Sequence, residues 1–218
     1  EGRMLIALSV LAQIDDDPRW ISLGKRKIDR MLELTRRKED FRFLWKGRFR
    51  PGEEPPPDAD EPDEPISGGS LADGGDKVFR LIYNVGALGH GASLFAKVTG
   101  YEPALELAGG LARWAVARVF KNEDGRYDFW HFHHGLYALM AVTAYAVAAD
   151  DKDMLARADA CYRWAREMGD PLIGYYAEYM PGSDLYLDRR GNTVEICEVA
   201  DMVWLALTLT RAGMGDYF

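Results

Sequence analysis

The chain has 218 residues, 48% hydrophobic, 12% aromatic and 28% charged, enough apolar mass for one sizeable core and too much for a disordered or collagen-like chain. A formal charge of -8, from 27 Lys+Arg against 35 Asp+Glu, excludes the basic face that a nucleic-acid or anionic-membrane binder needs. That acidity is local: nine acids and no base lie between Arg50 and Lys77, leaving 27 bases against 26 acids elsewhere.

Residues 4–14 (MLIALSVLAQI) are apolar nearly all round, which predicts a helix packed on several sides. Asp17 before Pro18 reads as an N-cap followed by proline at the first helical position. Trp20, Ile21, Gly24, Ile28, Met31, Leu32 and Thr35 then recur every three to four residues, the stripe of an amphipathic outer helix. The Pro-rich acidic insertion 51–76 has a composition that disfavours packing, so it reads as a mobile flap or disordered spacer. A second apolar helix is expected over 78–98, a turn at 99–101, and an amphipathic partner from Pro103 with Leu105, Ala108, Leu111, Ala112, Ala115 and Val119 on one face. A third pair follows: an apolar helix over 135–149, a turn at 150–152, and a partner facing inward through Met154, Ala158, Cys161, Tyr162, Ala165 and Met168. Arg113-Trp114-Ala115 aligns with Arg163-Trp164-Ala165 at an offset of 50, a period that signals a repeat architecture. A fourth apolar helix spans 197–212, and the stretches 120–132 and 171–192 leave room for a short β-hairpin.

Apolar helices alternating with amphipathic ones bury a continuous core only when hairpins stand side by side. The expected fold is therefore all-α, a curved array of helical hairpins forming part of an α/α barrel, in one domain over 1–218. The sequence starts at Glu1, already close to an apolar run, which reads as a piece of something longer. Apolar inner helices left bare by such a segment would be covered by missing chain or by a homo-oligomer partner. No apolar run reaches bilayer length and no signal peptide is recognisable, so a cytoplasmic chain without a membrane partner is expected. Two cysteines, Cys161 and Cys197, are too few for a disulfide scaffold.

In an up-and-down array, the loops from outer to inner helices share one end. Here they are the long ones, 38–77, 121–134 and 169–194, and that end is the expected functional face. The stretch 125–137 (GRYDFWHFHHGLY) joins three of the four histidines to five aromatics. Ring faces interleaved with hydrogen-bonding groups suit a sugar, so Trp130, His131, His133 and His134 are candidate substrate contacts, with Tyr176 from the next loop. The plainer reading makes these residues packing and caps, and His90 a satisfied core histidine. Glu178, flanked by tyrosines, is a candidate general acid, because apolar walls disfavour its charged form. Glu195 and Cys197, two apart at a helix N-terminus, could face one metal ion. Their alternative is structural: Asn192 as N-cap with Glu195 in a capping box, and Cys197 as a small buried hydrophobe.

The hairpins ending in Arg-Trp-Ala, and Glu195-x-Cys197 at the head of a later apolar helix, resemble the six-hairpin glycosidases and, among them, the β-L-arabinofuranosidase family. The resemblance implies an (α/α)6 toroid and hydrolysis of a neutral sugar. It implies a zinc ion held by Glu195, Cys197 and a downstream cysteine pair, one of which is the nucleophile of a retaining reaction, with Glu178 as acid/base. No cysteine follows Cys197 in this sequence, so that ligand set is incomplete here. Other α/α-barrel activities, namely epimerases, polysaccharide lyases and uronyl hydrolases, remain alternatives. So does a non-catalytic repeat scaffold binding a protein or glycan. A uronate-directed enzyme needs basic groups in the long loops to hold carboxylates, and candidates there are few, among them Arg48, Arg50, Arg126, Arg189 and Arg190.

Overall fold

The computed structural model describes residues 2–15, 17–46, 49, 52–61, 75–127, 131–170, 172–180 and 194–217. Among these, seven helices carry the fold: α1 (Gly2–Ile14), α2 (Pro18–Leu34), α3 (Gly75–Thr99), α4 (Glu102–Arg118), α5 (Phe132–Ala149), α6 (Lys152–Glu167) and α7 (Ile196–Arg211). Two antiparallel hairpins interrupt them, β1 (Thr35–Lys38) with β2 (Phe41–Leu44), and β3 (Gly169–Asp170) with β4 (Tyr175–Tyr176). The protein is mostly helical, and no described helix is long and apolar enough to cross a membrane.

The apolar helices α1, α3, α5 and α7 are neighbours in that order, and each amphipathic helix lies against the apolar helix before it and the one after. Sequence sets this arrangement. The Asp17 side chain accepts the Arg19 N–H at 2.9 Å ahead of Pro18, and Asp151 accepts the Met154 N–H at 3.0 Å, so both amphipathic helices start with a satisfied donor. α3 packs tightly enough on its neighbours to need glycine: a Cβ at Gly86 would sit 2.7 Å from the Tyr137 backbone, and one at Gly91 only 2.4 Å from the Gly2 carbonyl oxygen. The core runs through all the layers, from Leu5 and Ile28 through Ile82, Phe95, Leu107, Leu111 and Leu136 to Leu205 and Leu209, each at most 2% exposed. Cys161 is fully buried within it.

Three sequence expectations change here. Among the described residues α1 packs on α2 and α3, and its Met4, Val10, Leu11 and Ile14 stay exposed. Thr35 closes α2 instead of continuing it. The run after it alternates buried Phe41 and Phe43 with Arg42, and Glu39 turns the chain at φ 53, so a hairpin forms where a loop was expected.

The third change concerns the acidic insertion, whose residues 52–61 are no free flap. Arg30 holds the Glu53 carbonyl at 2.8 Å and the Glu54 carboxylate at 2.7 Å, Arg36 holds the Pro55 carbonyl at 3.1 Å, and Lys46 pairs with Glu53. Glu61 ends the strap in a socket formed by Arg118, Lys38 at 3.0 Å and the Trp114 indole N–H at 2.9 Å. Composition alone could not show that α2, β1 and α4 supply the cations that fix this segment. Residues 62–74 lie outside the described residues.

Candidate functional site

The N-terminal ends of α1, α5 and α7 meet around Tyr83 of α3 at the long-loop end. From α1 the Arg3 guanidinium sits 5.6 Å over the Tyr83 ring of α3. Tyr83 in turn lies 5.1 Å from both the His134 and Tyr137 rings of α5. His133 Nδ1 is 2.6 Å from Asp201 Oδ2 on α7, which closes the ring of contacts from α1 to α7.

Glu178 reaches this cluster from the loop between β4 and α7. Its carbonyl accepts the Phe132 N–H at 2.9 Å, and His131 pairs with Tyr179 in an isolated antiparallel bridge, so the loop is stitched to the start of α5. The stitch puts Glu178 Oε1 3.9 Å from His131 Nε2, and Glu195 Oε2 lies 3.9 Å from the same nitrogen. Cys197 Sγ donates to Glu195 Oε2 at 3.3 Å. Four candidates named from sequence, His131, Glu178, Glu195 and Cys197, therefore share one place although 66 residues separate the first from the last. His133 and His134 stand beside them in the first turn of α5, where His131 takes the N-cap position. Tyr176 is buried and stacks on Phe132, with ring centroids 5.6 Å apart. Trp130 lies outside the described residues.

The N-cap of α7 is Glu195, not Asn192, which lies outside the described residues. Glu195 accepts the Glu198 N–H through its side chain while Glu198 Oε2 accepts the Glu195 N–H at 2.8 Å, a reciprocal capping box. Glu198 had no expected role, yet it is fully buried and its Oε1 has no hydrogen-bond partner among the described residues. Asp201, Tyr83 and Arg3 were also missed. One signal was available: Glu195, Glu198 and Asp201 are acids three apart on an otherwise apolar helix.

Burial dominates the electrostatics. It pushes the Glu198 carboxyl up to about 8, with Glu195, Glu178 and Asp201 adding repulsion against the backbone hydrogen bond at Glu195. Desolvation lowers His131 to about 4, so its imidazole is neutral near pH 7. The Cys197 thiol is pushed up to about 12, first by desolvation and then by its hydrogen bond to Glu195, so it keeps its proton. Asp201 is raised by burial against the lowering pull of His133.

The resemblance implies zinc, and the donors at hand fit a divalent ion. His131, Glu195 and Glu198 each offer one ligand atom, all within 4.8 Å of one another, and Cys197 adjoins Glu195. Two clefts elsewhere offer no such chemistry. One, of about 470 Å³, lies between α1 and α2 beside Phe49, and the other, of about 370 Å³, lies beside His90 and Trp204; neither is lined by a carboxylate. His90 is buried, lowered to about 4 by desolvation, and its Nδ1 has no partner among the described residues, unlike the satisfied histidine expected. Comparison with known protein families, characterised proteins and solved structures finds no match to this chain.

Proposed function

We propose that the chain is part of a glycoside hydrolase of the α/α-barrel type acting on a neutral sugar, of the kind seen in β-L-arabinofuranosidases. The observation that carries the reading is the convergence of Glu178 with His131 and Glu195, which sets a largely buried carboxyl, the proton donor glycoside hydrolysis needs, beside the residues that would hold the metal. Glu178, largely buried at 12% exposed, donates a proton to the leaving glycosidic oxygen while a nucleophile, by the resemblance a cysteine outside these residues, bonds to the anomeric carbon, and water then releases the sugar. His133 and His134 take the sugar hydroxyls, and Tyr176 backs the site through Phe132. Zinc held by Glu195 and Cys197 would supply Lewis-acid charge and draw the proton from a coordinated thiol.

The charge balance favours a neutral sugar over a uronate. Among the described residues the carboxyls of Glu178, Glu195 and Asp201 face the cluster, beside a Glu198 that keeps its proton near neutral pH, against the cation Arg3. The bare apolar face of α1 fits an array extended by further chain or by a second copy. Sedimentation of the chain as a monodisperse monomer would count against that part of the reading.

The direct test is hydrolysis of aryl glycosides, with the aryl β-L-arabinofuranoside first. Glu178→Gln is expected to lower kcat/KM by about 10²- to 10⁴-fold, the usual worth of a general acid. Undiminished turnover by that variant contradicts the assignment.

A further inference from the structure

We propose that His131 and Glu198 complete, within this chain, a divalent-metal seat of which the resemblance supplies only Glu195 and Cys197. The inference rests on reading this end of the array as the active site, and it fills the two ligand places of the absent cysteine pair, leaving the nucleophile's place as it was.

The buried carboxyl of Glu198 is the first ground. Its Oε2 is used by the Glu195 N–H, while Oε1 is buried without a donor among the described residues. Leaving a buried carboxyl oxygen unmatched costs free energy that a cation offsets.

The capping box is the second. It fixes two carboxylates side by side, each spending part of its capacity on the other's backbone N–H. Like charges held together repel, and a metal ion between them turns that repulsion into attraction. The helix N-terminus opposes a cation with about half a positive charge, but two carboxylates bring four times that charge with the opposite sign.

His131 is the third. As N-cap of α5 it carries Nε2 to 3.9 Å from Glu195 Oε2, and its ligand atom lies within 4.8 Å of those of Glu195 and Glu198. Donors around a tetrahedral zinc stand roughly 3.4 Å apart, given bonds of about 2.0–2.1 Å, so side-chain rotation of about an ångström gathers these three, and the Cys197 thiol, outside that group but 3.3 Å from Glu195 Oε2, is the neighbouring fourth donor. One imidazole, two carboxylates and a thiol form a mixed set that suits zinc better than magnesium or calcium, which take oxygen ligands.

The test is zinc titration of the chelator-stripped 218-residue chain, read by competition with a chromophoric chelator, and cobalt substitution read by absorbance. One zinc per chain is expected, and cobalt should show a thiolate charge-transfer band that Cys197→Ser removes. His131→Gln and Glu198→Gln should each weaken zinc by more than about 100-fold, since losing even an outer-sphere partner costs 10- to 100-fold. Glu198→Gln keeps an oxygen for the Glu195 N–H, so the cap survives, and it decides the matter if the His131 variant does not fold. No stoichiometric zinc, or zinc affinity unchanged in Glu198→Gln, overturns the seat. Turnover by a chain that takes up no zinc overturns the seat alone, whereas zinc binding as expected without turnover leaves the seat and counts against the glycosidase reading.

Discussion

Two glutamates in this protein are almost wholly removed from water and stand in opposite surroundings. Glu61, 8% exposed, sits among Arg118, Lys38 and the Trp114 N–H, which hold it down to about 2, the Arg118 hydrogen bond contributing most. Glu198, fully buried, is surrounded by Glu195, Glu178 and Asp201 and is pushed up to about 8. A carboxylate whose neighbours complete it fastens a strap to the outer helices. One whose neighbours share its charge stores unfavourable free energy, and such groups collect where a ligand is due.

The contrast predicts opposite responses to pH in metal-free protein. Glu198 keeps its proton in the folded state where the unfolded chain has lost it, so it lowers stability progressively as pH rises from about 4.5 through 8. Glu198→Gln should therefore stabilise the protein by several kcal/mol at pH 9, seen as a raised Tm, and make no difference below pH 4. Glu61 behaves in reverse, since its depressed value gives stability that is complete above about 4.5 and lost as pH falls through 2. Glu61→Ala should cost about 2 kcal/mol at pH 7 by urea melting, because Trp114 loses the acceptor of its indole N–H. Similar pH profiles for the two variants would break the comparison.

Smaller effects mark the boundary of the strap's hold. Asp151→Ala removes the α6 cap and should cost about 1 kcal/mol, a reference for an ordinary hydrogen bond. Glu54→Gln, at an ion pair whose carboxylate side chain is 66% exposed, should change stability by less than about 0.5 kcal/mol and lose even that in high salt.

Periodicity made the helices legible. α4 and α6 begin at Glu102 and Lys152, the offset of 50 read from their apolar faces, and Ala108, Ala158, Ala115 and Ala165 are all fully buried. The β1–β2 hairpin was not legible, because its turn at Glu39-Asp40 lacks the glycine or asparagine that marks such turns. Of the site, His131, Glu178, Glu195 and Cys197 were visible by residue type, since a carboxylate and a thiol two apart at a helix start are informative by themselves. Glu198 and Asp201 were hidden in an apolar helix, where only the packing of α5 against α7 reveals what their side chains face. The strap was hidden for the converse reason: its cations are far away in sequence, and a local composition cannot count them.

The most direct measurement of the central claim, that the meeting point of the apolar helix N-termini is a sugar site, is calorimetric titration of L-arabinose into the chain and into His133→Gln. The expected result is saturable binding by the parent chain, weakened about tenfold or more when His133 can no longer span Asp201 and the sugar. Binding of equal strength in both proteins, or none in the parent at sugar concentrations of tens of millimolar, contradicts the claim.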